Sequence, residues 1–373
     1  MIPRMLLNII DTENKKGKAI IILGARQTGK TTLLKEYCKG KKDVLWLNGD
    51  EPEVIAIFKN VNSERLKTII GTNNTIIIDE AQRIKNIGIK LKLITDQIKN
   101  IQLLATGSSA FELANEINEP LTGRKWEHHL FTVSFEEMVQ HHGFLKEIQL
   151  LEHRLVFGYY PEIVTTTGNE RELLKQLSDS YLYKDVLMWK QIKKPDKLIH
   201  LLQALAFQVG SEVSFHELGK QLSMDNQTVE HYIQLLEQSY VIFRLGAFSR
   251  NLRKELKKTR KIYFYDNGIR NALISAFSAF ELRQDKGALW ENFLISERVK
   301  HTHYHNIYCN RYFWRTHDRQ EIDYIEEREG KLFAYEFKWN TKSKAKFPKT
   351  FLRIYTENET QIITPKNFES FIS

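Results

Sequence analysis

The stretch Gly24-Ala25-Arg26-Gln27-Thr28-Gly29-Lys30-Thr31 takes its meaning from what stands on either side of it. The apolar, β-branched run Ala19-Ile20-Ile21-Ile22-Leu23 precedes it, and the helix-forming Thr32-Leu33-Leu34-Lys35-Glu36-Tyr37 follows. Strand, glycine-bounded loop and helix in this order and spacing make a phosphate-binding P-loop. Gly24 and Gly29 can take backbone angles that a β-carbon forbids. Successive N–H groups of Gly24, Ala25, Arg26, Gln27, Thr28, Gly29 and onward to Thr32 can then wrap a polyphosphate. The helix start adds its positive dipole end. Lys30 is placed to reach the β- and γ-phosphates of ATP, and the Thr31 hydroxyl to ligand Mg²⁺.

Thr75-Ile76-Ile77-Ile78-Asp79-Glu80 supplies the acidic strand that a P-loop needs. Asp79 is expected to hold the Mg²⁺ through water, and Glu80 to orient or deprotonate the attacking water. A further strand, Ile101 to Ala105, ends in Thr106-Gly107-Ser108-Ser109. Thr106 and Ser108 fit a γ-phosphate sensor, and Ser108 or Ser109 equally fits an ordinary helix N-cap. Strands alternating with helices predict a parallel sheet covered on both faces.

The whole chain has 373 residues, which at roughly 100 to 200 residues per domain makes room for two or three domains. Its 42% hydrophobic and 27% charged residues are an ordinary soluble composition. No apolar run approaches the roughly 20 residues of a membrane span, and Met1-Ile2-Pro3-Arg4-Met5 does not open a secretion signal. Cys38 and Cys309 fall in different segments, which argues against a disulfide framework or a zinc cluster and for a reducing cytoplasm. A net charge of +9 permits nucleic-acid binding without requiring it.

Downstream, Pro120-Leu121-Thr122-Gly123-Arg124 precedes a strand. Arg124 suits an arginine finger reaching a neighbouring subunit's γ-phosphate, or else a surface ion pair. "GARQTGKTT", "IIIDEAQ", "LLATGSSA", "LTGRKWEHHLF" and "SFEE" together resemble a family of prokaryotic AAA-superfamily P-loop ATPases. Its members are usually followed by a C-terminal domain of unknown function that looks like a PD-(D/E)xK nuclease. The resemblance implies an AAA-type ATPase core and a homo-oligomer with ATP between subunits.

Four segments are expected: an ATPase core over 1–140, a helical lid over 141–195, a winged helix over 196–266 and a nuclease-like α/β domain over 267–373. His141 and His142 have no acidic or thiol partner at metal-ligand spacing and read as a solvated helix end. Leu198–Val209, Ser214–Leu222 and Asn226–Ser239 read as three helices, the last two forming a helix-turn-helix. Val241–Leu245 and Lys261–Tyr265 flank Arg250–Lys261, whose seven basic residues stand against one acid, like the strands of a wing. That charge favours DNA, since phosphate neutralisation dominates affinity, although winged helices also dock proteins.

In the last segment, Asp323 falls on one strand, and Glu336 and Lys338 lie two apart on the next, so the latter two share a face. A hairpin at Glu329-Gly330 brings Asp323 level with them. Two carboxylates beside a lysine make a Mg²⁺ site with a cation able to position water, and Glu291 on the preceding helix resembles the additional acid of PD-(D/E)xK enzymes. A polar sheet face with a Glu336–Lys338 ion pair has the same pattern. Two functions follow: an ATP-driven DNA-processing enzyme, or a regulatory ATPase switch whose C-terminal domains only dock partners.

Overall fold

A computed structural model describes residues 1–13, 17–108, 113, 116–181, 192, 194–249, 260–316, 318–342 and 346–373. They form two compact units: Pro3–Thr132 with Gln238–Tyr240, and Met1–Ile2, Val133–Glu237 and Val241–Ser373 together.

In the first unit five strands, β1 (Ala19–Leu23), β2 (Val44–Asn48), β3 (Thr75–Asp79), β4 (Gln102–Gly107) and β5 (Lys125–His129), make one sheet in the order β2-β3-β4-β1-β5. Every pairing is parallel. This is the α/β class expected. Ile20, Ile21, Ile22, Ile76, Ile77 and Ile78 are all fully buried, because crossover helices cover both faces and side chains of either parity need an apolar partner. The helices Pro52–Phe58, Ser63–Ile70 and Ile87–Gln97 contribute Val54, Phe58, Leu66, Ile70, Leu91 and Ile94 to the core around Ile21, Leu23, Ile76 and Ile78.

One consequence of the strand order positions the site. β4 lies between β1 and β3, with Leu23 opposite Gly107 and Ile78 opposite Ala105. The carboxyl ends of all three strands therefore share one sheet edge, which carries Gly24, Thr106 and Asp79.

The second unit is built on a seven-stranded sheet. Its strands are β6 (Glu212–Val213), β7 (Ile242–Ala247), β8 (Arg260–Phe264), β9 (Asn310–Arg315), β10 (Glu321–Arg328), β11 (Lys331–Phe337) and β12 (Asn358–Ile363), in the order β12-β11-β10-β9-β7-β8-β6. The helices Phe215–Leu222 and Asn226–Gln238 with β6, β7 and β8 have the winged-helix arrangement. β7 uses its second edge to pair in parallel with β9, Gly246 facing Tyr312. The segments 141–195, 196–266 and 267–373, read separately from the sequence, thus contribute to one compact unit, since a strand of the wing is hydrogen-bonded to a strand of the C-terminal segment. Residues 182–191 of the expected lid and 250–259 of the basic stretch lie outside the described residues.

The Glu329-Gly330 hairpin has positive φ at both residues, 49° and 83°, as a two-residue turn matched to strand twist requires. β12 was not anticipated. Its sequence, Asn358-Glu359-Thr360-Gln361-Ile362-Ile363, is polar for most of its length, and it pairs in parallel with β11 as an outer strand.

Candidate functional site

At the carboxyl edge of the first sheet, Gln27 and Gly29 take left-handed backbone conformations, with φ of 58° and 93°. Gly24 is glycine for a different reason: a β-carbon there would lie 2.3 Å from the Leu130 carbonyl oxygen. The Thr28 hydroxyl donates to the Ala25 carbonyl at 2.8 Å, closing the loop on itself. Arg4 braces it, donating to the carbonyls of Thr28 at 2.8 Å and Phe131 at 2.7 Å. The helix Lys30–Cys38 begins without a side-chain cap at Gly29, which leaves its first N–H groups for an anion. Lys30 is buried and its ammonium donates to the Gly24 and Ala25 carbonyls, each at 2.8 Å.

The acidic strand end meets this loop. Asp79, 4% exposed, accepts from the Thr31 hydroxyl at 2.8 Å and from the Thr106 hydroxyl on its other oxygen. The backbone N–H of Glu80 donates to Thr106 Oγ1 at 3.2 Å, and Glu80 itself turns left-handed at φ 50°. Gln82 then ties two groups together, its amide nitrogen lying 2.6 Å from the Glu80 carboxylate and 3.1 Å from Ser108 Oγ. Thr31, Asp79, Glu80, Thr106 and Ser108 are thus brought into one bonded chain beside Lys30. Sequence reading missed Arg4 and Gln82, the latter quoted only as part of a motif. Ser109 lies outside the described residues.

Arg124 is not in this group. It precedes β5 at the amino edge of the sheet, where its carbonyl accepts from Ala19 N at 2.9 Å and its guanidinium pairs with Asp96 at 2.7 Å. A parallel strand separates it from the P-loop of its own chain.

The loop fits a triphosphate and the Thr31–Asp79 pair fits Mg²⁺: a backbone cradle, a buried ammonium, a hydroxyl and a carboxylate are the donors such a ligand uses. Residues 16–139 match the AAA domain family. The first unit carries a P-loop ATPase domain of the AAA type. The solved Walker-type ATPase of Pyrococcus abyssi has the same fold, with a TM-score of 0.52 at 15% identity over 74% of this chain and 96% of that one. Residues 148–279 match the domain of unknown function DUF8612 and 286–369 the domain of unknown function DUF4143. An uncharacterized protein of Mycobacterium tuberculosis is 23% identical over 335 residues, 87% of this chain and 70% of its own. Another from Haemophilus influenzae is 22% identical over 98% of this chain and 92% of its own. Among the described residues no helix is long and apolar enough to cross a membrane.

In the second unit a separate polar cluster forms where β8, β10, β11 and the helix Lys286–Tyr304 meet. β10 carries one extra residue relative to β9 between Ile322 and Ile325, a bulge at Asp323-Tyr324 that re-aims the local side chains. Asp323 Oδ2 accepts from Phe337 N at 2.8 Å and lies 3.9 Å from the Lys338 ammonium, which donates to Glu336 at 2.9 Å. Burial, and then the charge of Asp323, push the Glu336 carboxyl up to about 7 against the pull of Lys338. Burial likewise lifts Glu291 to about 7, with Lys261 opposing and Asp323 adding to the rise.

Glu291 accepts from Tyr263 OH at 2.6 Å and from Lys261 at 3.2 Å. Lys261 also pairs with Glu321 at 2.6 Å and is 2% exposed. Its burial would lower its pKa, but Glu291, Glu321 and Asp323 together hold it above the usual lysine value. This corrects one expectation about the wing: Lys261, counted among the cations for DNA phosphates, is buried among carboxylates. Arg260 beside it stands 3.5 Å from Glu230.

Two carboxyls brought together, one of them raised first by burial and then by the other's charge, are an oxygen donor set that a hard divalent cation would relieve, so the cluster fits Mg²⁺.

Proposed function

We propose that this chain is an ATP-hydrolysing machine whose turnover gates DNA processing by its second unit. The observation that carries the first half is the bonded chain Thr31–Asp79–Thr106–Glu80 at the mouth of the P-loop. ATP with Mg²⁺ supplies the scissile phosphoanhydride and the ion that neutralises it. Lys30 and the N–H groups of Gly24 to Thr32 hold the phosphates, and Thr31 and Asp79 hold the ion. Glu80, oriented by Gln82, takes the proton of the attacking water. Arg124 serves a neighbouring subunit, which its place at the far edge of the sheet supports, and this implies a homo-oligomer with ATP at its interfaces.

For the second half, Glu291, Asp323 and Glu336 hold Mg²⁺ and Lys338 positions a water against a DNA phosphodiester. Their convergence from one helix and two strands supports this reading over a chance D-x12-E-x-K spacing. The test is plasmid and oligonucleotide cleavage with Mg²⁺ or Mn²⁺, with and without ATP. Asp323→Ala with Glu336→Ala removes cleavage and leaves ATP hydrolysis intact. A parent protein that cuts no DNA in any nucleotide state removes the nuclease reading and leaves the ATPase.

Two observations favour the alternative, a regulatory switch with inert docking modules. Lys261 and Arg260 are engaged with acids, and Thr228 at the start of the second helix-turn-helix helix is bonded to Asp225. Both reduce what this face offers to phosphate.

A further inference from the structure

Outside both clusters, Glu136 in the first turn of the helix Phe135–His142 meets His301 and His305 at the end of the helix Lys286–Tyr304. We propose that these three residues form a binding site for a transition-metal ion of the zinc type.

The geometry carries the case. His301 and His305 are four apart, so both imidazoles leave the same side of the helix. Glu136 Oε2 lies 3.1 Å from His305 Nε2 and 3.7 Å from His301 Nδ1, and the three ligand atoms lie within 4.8 Å of one another. Ligands about 2.0–2.1 Å from a tetrahedral zinc stand about 3.4 Å apart, so an ion fits among them with little rearrangement. A plain ion pair needs one imidazole; here a second is aimed at the same oxygen. His301 Nδ1 is buried and has no hydrogen-bond partner, a cost that coordination would remove.

The two helices are already fixed beside each other by bonds that do not involve the three residues. Glu297, one turn before His301 on the same face, accepts from Phe135 N at 2.7 Å, and Lys300 donates to the Val133 carbonyl at 3.0 Å. The side chain of His305 is 39% exposed, which gives an ion access and leaves a coordination position for water. Two imidazoles and one carboxylate select zinc-like ions over Mg²⁺ or Ca²⁺, whose sites are built from oxygen. No cysteine takes part, which is why counting Cys38 and Cys309 gave no sign of it. His141 and His142, the pair that draws the eye in the sequence, are not part of it: His142 bonds Glu147 at 2.8 Å.

The experiment uses the full-length, tag-free protein stripped with a chelator and desalted. Zn²⁺ is titrated in competition with a chromogenic chelator, and Co²⁺ replaces it for visible spectroscopy. The expected result is one tightly bound equivalent, a Co²⁺ spectrum of low-coordinate type and a higher thermal midpoint with Zn²⁺. His305→Ala, at an exposed position just past the end of the helix, weakens binding by at least about tenfold and abolishes the thermal shift. His141→Ala, on the exposed face, changes neither. Equal zinc uptake by the parent and His305→Ala, or no stoichiometric uptake by the parent, overturns the proposal and leaves an ion pair.

Discussion

Replacing Gly24 by alanine tests whether the phosphate loop is held by its neighbour or by its own backbone angles. The new β-carbon would lie 2.3 Å from Leu130 O and 3.2 Å from the Leu130 carbonyl carbon. Leu130 cannot withdraw: it is fully buried, and its N–H donates to the Leu23 carbonyl at 2.7 Å. The loop must therefore move by about 1 Å, the shortfall from ordinary contact, and such overpacking costs about 1–3 kcal/mol of stability. The Gly24 carbonyl also accepts from Lys30, so the displacement carries the ammonium with it. A misplacement of about 1 Å costs about 100-fold in turnover. Gly29→Ala is the internal comparison. There a β-carbon meets only the Arg4 guanidinium, at an ordinary contact distance of 3.6 Å, and the penalty is backbone strain at φ 93°. The assay is ATP hydrolysis at saturating Mg²⁺, with fluorescent-nucleotide titration and thermal denaturation alongside. Gly24→Ala protein that melts and hydrolyses ATP like the parent would refute the argument that the Leu130 carbonyl sets the loop.

Three further outcomes are expected. Lys30→Ala loses ATP affinity or hydrolysis, whereas Glu80→Gln retains bound ATP without turning it over; equal turnover in Glu80→Gln and the parent contradicts the assigned base. Arg124→Ala lowers hydrolysis while nucleotide titration is unchanged, and mixing it with Glu80→Gln subunits restores activity if sites are shared; a parental rate in Arg124→Ala alone reduces that residue to its Asp96 pair. Asn292→Ala destabilises the second unit by about 3 kcal/mol, read from denaturant unfolding. It strips bonds from the Phe264 N–H and carbonyl and from Asn267, all buried; an unchanged midpoint would mean that water replaces them.

The first unit was legible because its chemistry is written in contiguous residues. A buried strand, a glycine-bounded loop and an uncapped helix declare themselves within twenty positions, and so does Ile76 to Glu80. The role of Gly24 was not legible, since the carbonyl that excludes a side chain there belongs to Leu130, far along the chain just past β5. Asp323, Glu336 and Lys338 could be paired through strand alternation and a hairpin turn, and Glu291 was added by resemblance to the additional acid of PD-(D/E)xK enzymes. Lys261 and Tyr263 could not, because local charge made Lys261 look like part of a solvent-facing wing. Only the sheet order brings β8 to the Lys286–Tyr304 helix, where burial decides the lysine's partners. β12 escaped notice because an outer strand with few apolar residues has no periodic signature.

The shared sheet also governs how this protein can be cut. Ending an expression clone at residue 266, or starting one at 267, breaks the β7–β9 ladder and leaves a raw strand edge on each fragment, a template for self-association. The downstream fragment would lose Lys261 and Tyr263 as well, stranding Glu291 without its counter-charge. Recombination that trades C-terminal halves among such proteins has to move the wing and the tail as a single cassette.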